Sequence, residues 1–245
     1  MHLLEQTEHR PYPLSTKPWI MTQTWNRLLF AHWPVPISAL KAYVPPAFTI
    51  DTYDGVAWIG IVPFEISHLR MRGLPPVPYT SYFLQINVRT YVVMNNKPGI
   101  FLFSLDATNP LAVAAARAFF HLPYYNAKID VDIEQDSLHY TSKRTHKNAP
   151  QADFSAKYKP ISTHYQASIG SLDDWLTARY CLYTLNKKQL YRGEIHHAPW
   201  PLQQAEADIS VNAMHPILSS SILQTQPLLH YVEQIKALFW LLEKI

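Results

Sequence analysis

FLQINVRTYVV, residues 83–93, alternates side-chain character along its whole length. Successive side chains of a strand point to opposite faces. Leu84, Ile86, Val88, Thr90 and Val92 therefore share one face, and Gln85, Asn87, Arg89 and Tyr91 share the other. A row of Gln, Asn, Arg and Tyr either meets solvent or lines an enclosed site. The next strand candidate, GIFLFSLDA at 99–107, is apolar on both faces apart from Ser104 and Asp106, which share a face. A strand buried on both sides implies that the neighbouring polar row is enclosed as well, because one sheet has continuous faces. An enclosed guanidinium needs a partner, either a carboxylate such as Asp106 or a bound anion, and the sequence leaves both open for Arg89.

Outward from this pair the chain reads as mainly β. Further strands are expected at Val56–Glu65, Lys128–Glu134, Leu138–Arg144, Ile161–Ser168, Gln189–His197 and Gln204–Val211. Helices are few. Pro36–Tyr43 is stopped by Pro45 and Pro46, and Leu111–Phe120 has Asn109 as N-cap with Pro110 in its first turn. Leu172–Tyr180 starts after Ser171, with Asp174 three residues on. Leu228, Tyr231, Val232, Ile235, Leu238, Phe239 and Leu242 have the spacing of one buried helical face, so a C-terminal helix is expected at about 228–243, with a homodimer contact as one use of it. Sequential strands with peripheral helices make an antiparallel sheet, curled or closed into a barrel. One domain over 1–245 is expected, with an N-terminal arm at about 1–18.

Composition excludes several functions. Hydrophobic residues make up 48% and charged residues 16%, enough to build a core and too little charge for a disordered chain. A net charge of +3 with one short basic run (Lys143, Arg144, His146, Lys147) argues against nucleic acid. The opening twenty residues are interrupted by Glu5, Glu8, His9 and Arg10, unlike a secretory signal, and no apolar stretch is long enough to span a membrane. Cys181 is the only cysteine and sits between apolar neighbours; a buried filler in a cytoplasmic protein is expected. No two of the six glycines are closer than five positions, which removes GxGxxG turns and GxSxG elbows, and Gly55 and Gly60 are followed by Ile61 and Val62 rather than Lys and Ser or Thr, which removes a phosphate loop. Twelve histidines form neither HxH nor HxxxH, and no cofactor or metal is expected. Arg192, Glu194 and His196 share a face and read as a salt-linked sheet surface, while His32, in an apolar run, reads as a hydrogen-bonded core histidine. Tyr124 and Tyr125, following the alanine-rich helix, are candidate donors or acid–base groups.

The segments WNRLLFAHWPVPISALKAYVPPAFTIDTYDG, AWIGIVPFEI, INVRTYV, KPGIFLFSLDA, ARAFFHLPYYNA and YRGEIHHAPWPLQQAE, running from Trp25 to about Glu206, together resemble the YqjF-like family of unknown function. That family is in turn similar to the acetoacetate decarboxylases, which implies a cone-shaped antiparallel barrel with a pocket inside. In those decarboxylases a Pro-Lys-Lys motif supplies the Schiff-base lysine and a second ammonium that lowers its pKa. Here the motif falls on Pro123-Tyr124-Tyr125, and neither tyrosine can form an imine. Lys128, the nearest lysine, has no adjacent cation, so Schiff-base decarboxylation is disfavoured. The substrate-binding arginine of the decarboxylases falls within Trp25-Asn26-Arg27, making Arg27 a candidate, and their pocket glutamate falls near Gln85 or Ser81, neither a carboxylate.

Three functions follow. The first is a cofactor-independent lyase, hydratase or isomerase that binds a carboxylate or carbonyl compound through Gln85, Asn87, Arg89, Tyr91 and Arg27, with Tyr124, Tyr125 and Asp106 as catalytic candidates. The second is a non-catalytic metabolite-binding protein using the same pocket, with Trp58, Phe101 and Phe103 as lining. The third is an interaction protein acting through the C-terminal helix.

Overall fold

The computed structural model describes residues 3–218 and 220–245. The strands are β1 (Met21–Val35), β2 (Thr49–Ile50), β3 (Ala57–Met71), β4 (Phe83–Met94), β5 (Lys97–Ala107), β6 (Tyr124–Glu134), β7 (Ser137–Arg144), β8 (Asp153–Pro160), β9 (Cys181–Asn186), β10 (Gln189–His197), β11 (Gln203–Asn212), β12 (Leu228–Phe239) and β13 (Glu243–Lys244). Four short helices accompany them: α1 (Ile37–Lys41), α2 (Pro110–Phe119), α3 (Leu172–Thr177) and α4 (Ser220–Leu223). Asn109 caps α2 by accepting from the Ala112 N–H at 3.0 Å, and Ser171 caps α3 by accepting from that of Asp174 at 3.3 Å, as their sequence positions foretell.

All strands pair in one mixed sheet whose ladders return on themselves. One circuit of seven strands runs β1, β3, β4, β5, β9, β10, β12 and back to β1. A second circuit shares β12, β1, β3, β4 and β5 and is completed by β6, β7, β8 and β11. Pairing is antiparallel except where β5 meets β6 and β9. The five shared strands are therefore covered on both faces, and their alternate side chains enter two interiors. Ile59, Ile61, Ile86 and Val88 pack with Ile129, Tyr140, Phe154 and Tyr158 in the larger one. Leu28, Phe30, Val62, Phe64, Leu102 and Leu105 belong to the smaller one.

Two expectations are corrected. The segment expected as a C-terminal helix is β12, paired with β1 from Met21↔Phe239 to His32↔Leu228. Leu229, Tyr231 and Val232, with Ile235, Ala237 and Phe239, feed both interiors, and a strand buried on both faces carries apolar residues at every spacing, including the helical one. The dimer contact read onto that helix loses its basis. Second, the strand expected at Ile161–Ser168 lies instead at Asp153–Pro160, leaving a single bridge from Tyr165 to Leu202. Two strands went unread in the sequence: β1 and β9 were hidden from periodicity because both are buried on each side. The N-terminal arm is tied down: Arg10 is buried, donating to Ile195 O at 2.9 Å and facing Glu194 at 3.6 Å. None of the described helices is long and apolar enough to cross a membrane.

Candidate functional site

The smaller interior is not filled. A cavity of about 400 Å³ lies within it, walled by Trp25, Leu28, Phe30, Phe64, Leu102, Leu105, Trp200 and Phe239 and by the inward face of α2 at Ala112 and Ala116. At one end α3 packs across the circuit: Leu176 is buried, Tyr91 Oη donates to Leu176 O at 3.0 Å, and Trp200 Nε1 donates to Thr177 O at 2.8 Å. At the other end the lining includes the exposed Met71, Val77 and Leu111.

β4 contributes the polar wall that its alternation foretells: Gln85, Asn87 and Arg89 all line the cavity. Tyr91 continues the row on the same face but lies beyond the lining, its hydroxyl 2.7 Å from His32 Nε2. Tyr124 enters from β6 and donates to Gln85 Oε1 at 2.7 Å. Burial holds the Tyr124 phenol well above its ordinary range, so it stays protonated and serves as a donor.

Arg89 is the outstanding group. It is 8% exposed, its guanidinium carbon lies 4.9 Å above the Phe30 ring and 5.8 Å from that of Tyr91, and its Nε and Nη2 have no hydrogen-bond partner. No carboxylate pairs with it among the described residues, and the buried Oδ1 of its neighbour Asn87 is likewise unpartnered. Other polar groups along the wall have partners within the protein: Tyr124 bonds Gln85, Trp25 Nε1 donates to Gln23 at 2.9 Å, and Glu194 Oε1 takes Lys97, with Arg192 at 3.5 Å, while its Oε2 has no hydrogen bond and faces Arg10 at 3.6 Å.

Gly60 makes room for this arrangement. It pairs with His32 on one side and Arg89 on the other, and a Cβ there would stand 2.8 Å from His32 Cδ2 and 3.5 Å from Arg89 Cγ. His32 is fully buried and held neutral, chiefly by desolvation and secondarily by the nearby Arg89 charge. The expected core histidine is thus observed, though it backs onto the site.

Asp106 is not Arg89's partner. Its two oxygens accept from Arg144 Nε at 2.6 Å and Nη2 at 2.7 Å, in the larger interior. The reason is register: Asp106 opposes Ile86 and Ser104 opposes Val88, so both share the face of the apolar row. A bulge at Phe103 then switches parity, so that Leu105 and Leu102 both face the cavity, opposite Asn87 and Arg89. Arg27 is also elsewhere. Its positive φ of 47° marks an irregularity in β1, and its side chain pairs with Glu65, Nη2 to Oε2 at 2.6 Å, with Tyr82 Oη donating to the same oxygen at 3.1 Å. Tyr125 faces away from Tyr124 into a separate groove with His146 and Arg117, the Arg144 guanidinium 4.1 Å over its ring. Lys128 is solvent-exposed beside Asp130 at 3.6 Å, and no lysine among the described residues lines the cavity. Trp58, Phe101 and Phe103 do not line it either. The lining residues Gln23, Trp25 and Phe30 of β1 and Trp200 of the β10–β11 loop were missed by sequence reasoning because β1 is buried on both faces and shows no alternation; only its aromatic density hinted at them.

Two closed circuits sharing five strands, with a cavity in the smaller, define a mainly β protein of the acetoacetate decarboxylase-like fold. Three solved structures share it: the acetoacetate decarboxylase of Legionella pneumophila (TM-score 0.61, 14% identity, 99% of this chain and 94% of that one), an acetoacetate decarboxylase-like enzyme from Sphingomonas wittichii (0.62, 10%, 96% and 96%), and the enduracididine biosynthesis enzyme MppR complexed with pyruvate (0.60, 9%, 96% and 93%). At those identities the likeness shows the fold. The chain itself belongs to the DUF2071 family, described as an uncharacterized conserved protein, whose model matches residues 22–236. It is 50% identical over 226 residues to the uncharacterized protein YqjF of Bacillus subtilis, covering 92% of this chain and 93% of that protein.

Proposed function

We propose that the chain binds a small, largely apolar carboxylate or carbonyl compound in the cavity, with Arg89 as the clamp for its oxygens. The observation that carries this reading is a buried guanidinium with unpartnered Nε and Nη2 in a mainly apolar cavity. A buried charge without a partner costs several kcal/mol, and a bound carboxylate or polarised carbonyl supplies the missing acceptors. Schiff-base decarboxylation is not the reading, because the cavity holds no lysine and the motif position is Tyr124.

The fold neighbours include acetoacetate decarboxylases and a pyruvate complex, which agrees with a keto-acid class of ligand. A thermal-shift screen with acetoacetate, 2-oxobutanoate, butanoate and pentane-2,4-dione tests it, run in parallel on Arg89→Met. At a hundredfold its Kd a ligand adds about 2.7 kcal/mol, which at roughly 2–4 °C per kcal/mol raises Tm by about 5–11 °C. The expected result is a shift in the wild type that Arg89→Met lacks. An equal shift in both proteins, or none in either, overturns the proposal.

A catalytic form of the same reading has one specific support: Tyr124, kept protonated by burial, lines the cavity at the position of the lysine motif, where its hydroxyl, now donating to Gln85 Oε1, could turn to a bound carbonyl. In a lyase, hydratase or isomerase without a cofactor, Arg89 and Tyr124 together would polarise a carbonyl. Tyr124→Phe would then keep ligand binding and lose turnover; binding with no turnover in the wild type leaves a metabolite-binding protein.

A further inference from the structure

Resting on that reading, we infer that the ligand is a medium-chain carboxylic acid, threaded with its carboxylate inward on Arg89 and its hydrocarbon chain directed toward the apolar rim. Three observations converge on this. The first is where unsatisfied polarity lies. Gln23, Gln85, Tyr124 and Glu194 have partners within the protein, so the middle of the cavity asks for nothing polar. Glu194 Oε2 has no hydrogen bond but faces Arg10 Nη2 at 3.6 Å as an ion pair, whereas Arg89 and its neighbour Asn87 carry unpartnered atoms with no countercharge beside them among the described residues, toward the end that α3 closes, where Tyr91 and Trp200 bond its backbone.

The second is size. Phe83 and Arg89 both line the cavity, and the six residues from one to the other span roughly 20 Å at about 3.3 Å each. A cavity of about 400 Å³ corresponds to about thirteen waters at roughly 30 Å³ apiece. A keto acid of six or seven heavy atoms would occupy about half of that space. An acid with eight to ten carbons would match the volume and, extended, would cover more than half of that length, as ligands of pockets in this range do.

The third is the rim. Met71, Val77 and Leu111 line the open end and are themselves exposed, while no carboxylate occurs in the sequence from Ile66 to Leu105. The entrance is thus apolar with Arg70 beside it, a surface that draws in a carboxylate and then accommodates the end of an alkyl chain.

Isothermal titration with acetate, butanoate, hexanoate, octanoate and decanoate tests the inference on the wild type, on Arg89→Met and on Ala116→Phe, which fills the middle of the cavity from α2. Burying one methylene is worth about 0.8 kcal/mol, or about fourfold in Kd, so octanoate should bind about two-hundredfold more tightly than butanoate. The gain should level off as the chain fills the cavity. Arg89→Met should weaken every acid of the series, whereas Ala116→Phe should spare butanoate and remove the gain with length. If short acids bind through Arg89 but length adds nothing, the inference falls and the carboxylate clamp stands. If octanoate binds Arg89→Met as well as the wild type, the inward orientation is wrong. If no acid of any length binds, both readings fall.

Discussion

Replacing Asp106 with Ala strips a buried guanidinium of its counter-ion. Arg144 Nε and Nη2 donate to the two Asp106 oxygens at 2.6 and 2.7 Å, with the side chains 5% and 1% exposed. Burial pushes the Asp106 carboxyl up and the Arg144 hydrogen bonds pull it down. Without the carboxylate, Arg144 keeps a single bond to Pro150 O at 3.1 Å and its stack on Tyr125. Breaking one side of such a pair costs about 3–5 kcal/mol, because an uncompensated charge remains in the core, while replacing both partners by apolar groups of similar volume is often neutral. Asp106→Ala should therefore lower Tm by about 6–20 °C at roughly 2–4 °C per kcal/mol. The double variant Asp106→Leu with Arg144→Met should recover most of that loss. The assay is thermal and urea unfolding in a double-mutant cycle, with Arg89→Met as the contrasting partner. Asp106 should couple strongly to Arg144 and be additive with Arg89 to within about 0.5 kcal/mol. A cost below about 1 kcal/mol, or coupling to Arg89 instead, would refute the assignment of the two side chains to opposite faces of the shared strands.

Stability should fall on mild acidification. His32 and His197 are buried and neutral, with desolvation the leading cause for both and His197 brought down to about 3. Below about pH 6.5 the unfolded chain takes up protons on these rings and the native state does not, so stability drops with pH until the folded values are reached. Each ring contributes about 1.4 kcal/mol per pH unit over that window. Urea unfolding at pH 7 and pH 5 should differ by about 4 kcal/mol, and His197→Gln should remove about half of the difference; equal midpoints at the two pH values would contradict it. Gly99→Ala should cost roughly 1–3 kcal/mol or more, because a Cβ there would lie 2.5 Å from Cys181 Sγ and 2.8 Å from both Cys181 O and Tyr183 Cε2. Since backbone is among those neighbours, adding Cys181→Ala should not restore stability in chemical denaturation, and a full rescue would show that the strands can separate there at little cost.

The polar row Gln85, Asn87 and Arg89 was legible because a strand's period of two is local, and the apolar character of β5 told that the row was enclosed. The caps of α2 and α3 were legible for the same reason: Asn109 and Ser171 act within three residues of themselves. The identity of Arg89's surroundings was not. Reading Ser104 and Asp106 as neighbours of one face was correct, but which face depended on the register between β4 and β5 and on the bulge at Phe103. A one-residue shift exchanges the two faces of a strand, and nothing within either strand alone records it.

By itself, the sequence determined a mainly β chain of the YqjF-like kind, lacking the lysine motif and carrying an arginine on an enclosed strand. Only the tertiary structure decided that β12 is a strand, that Arg27 and Asp106 have partners in the larger interior, and that Arg89 has no carboxylate partner among the described residues in the smaller. The physical reason is that five strands are shared by two closed circuits. A strand buried on both faces loses the apolar–polar alternation that marks it, and the assignment of each charged side chain to one interior or the other follows from pairing between segments up to about two hundred residues apart, as in β1 with β12.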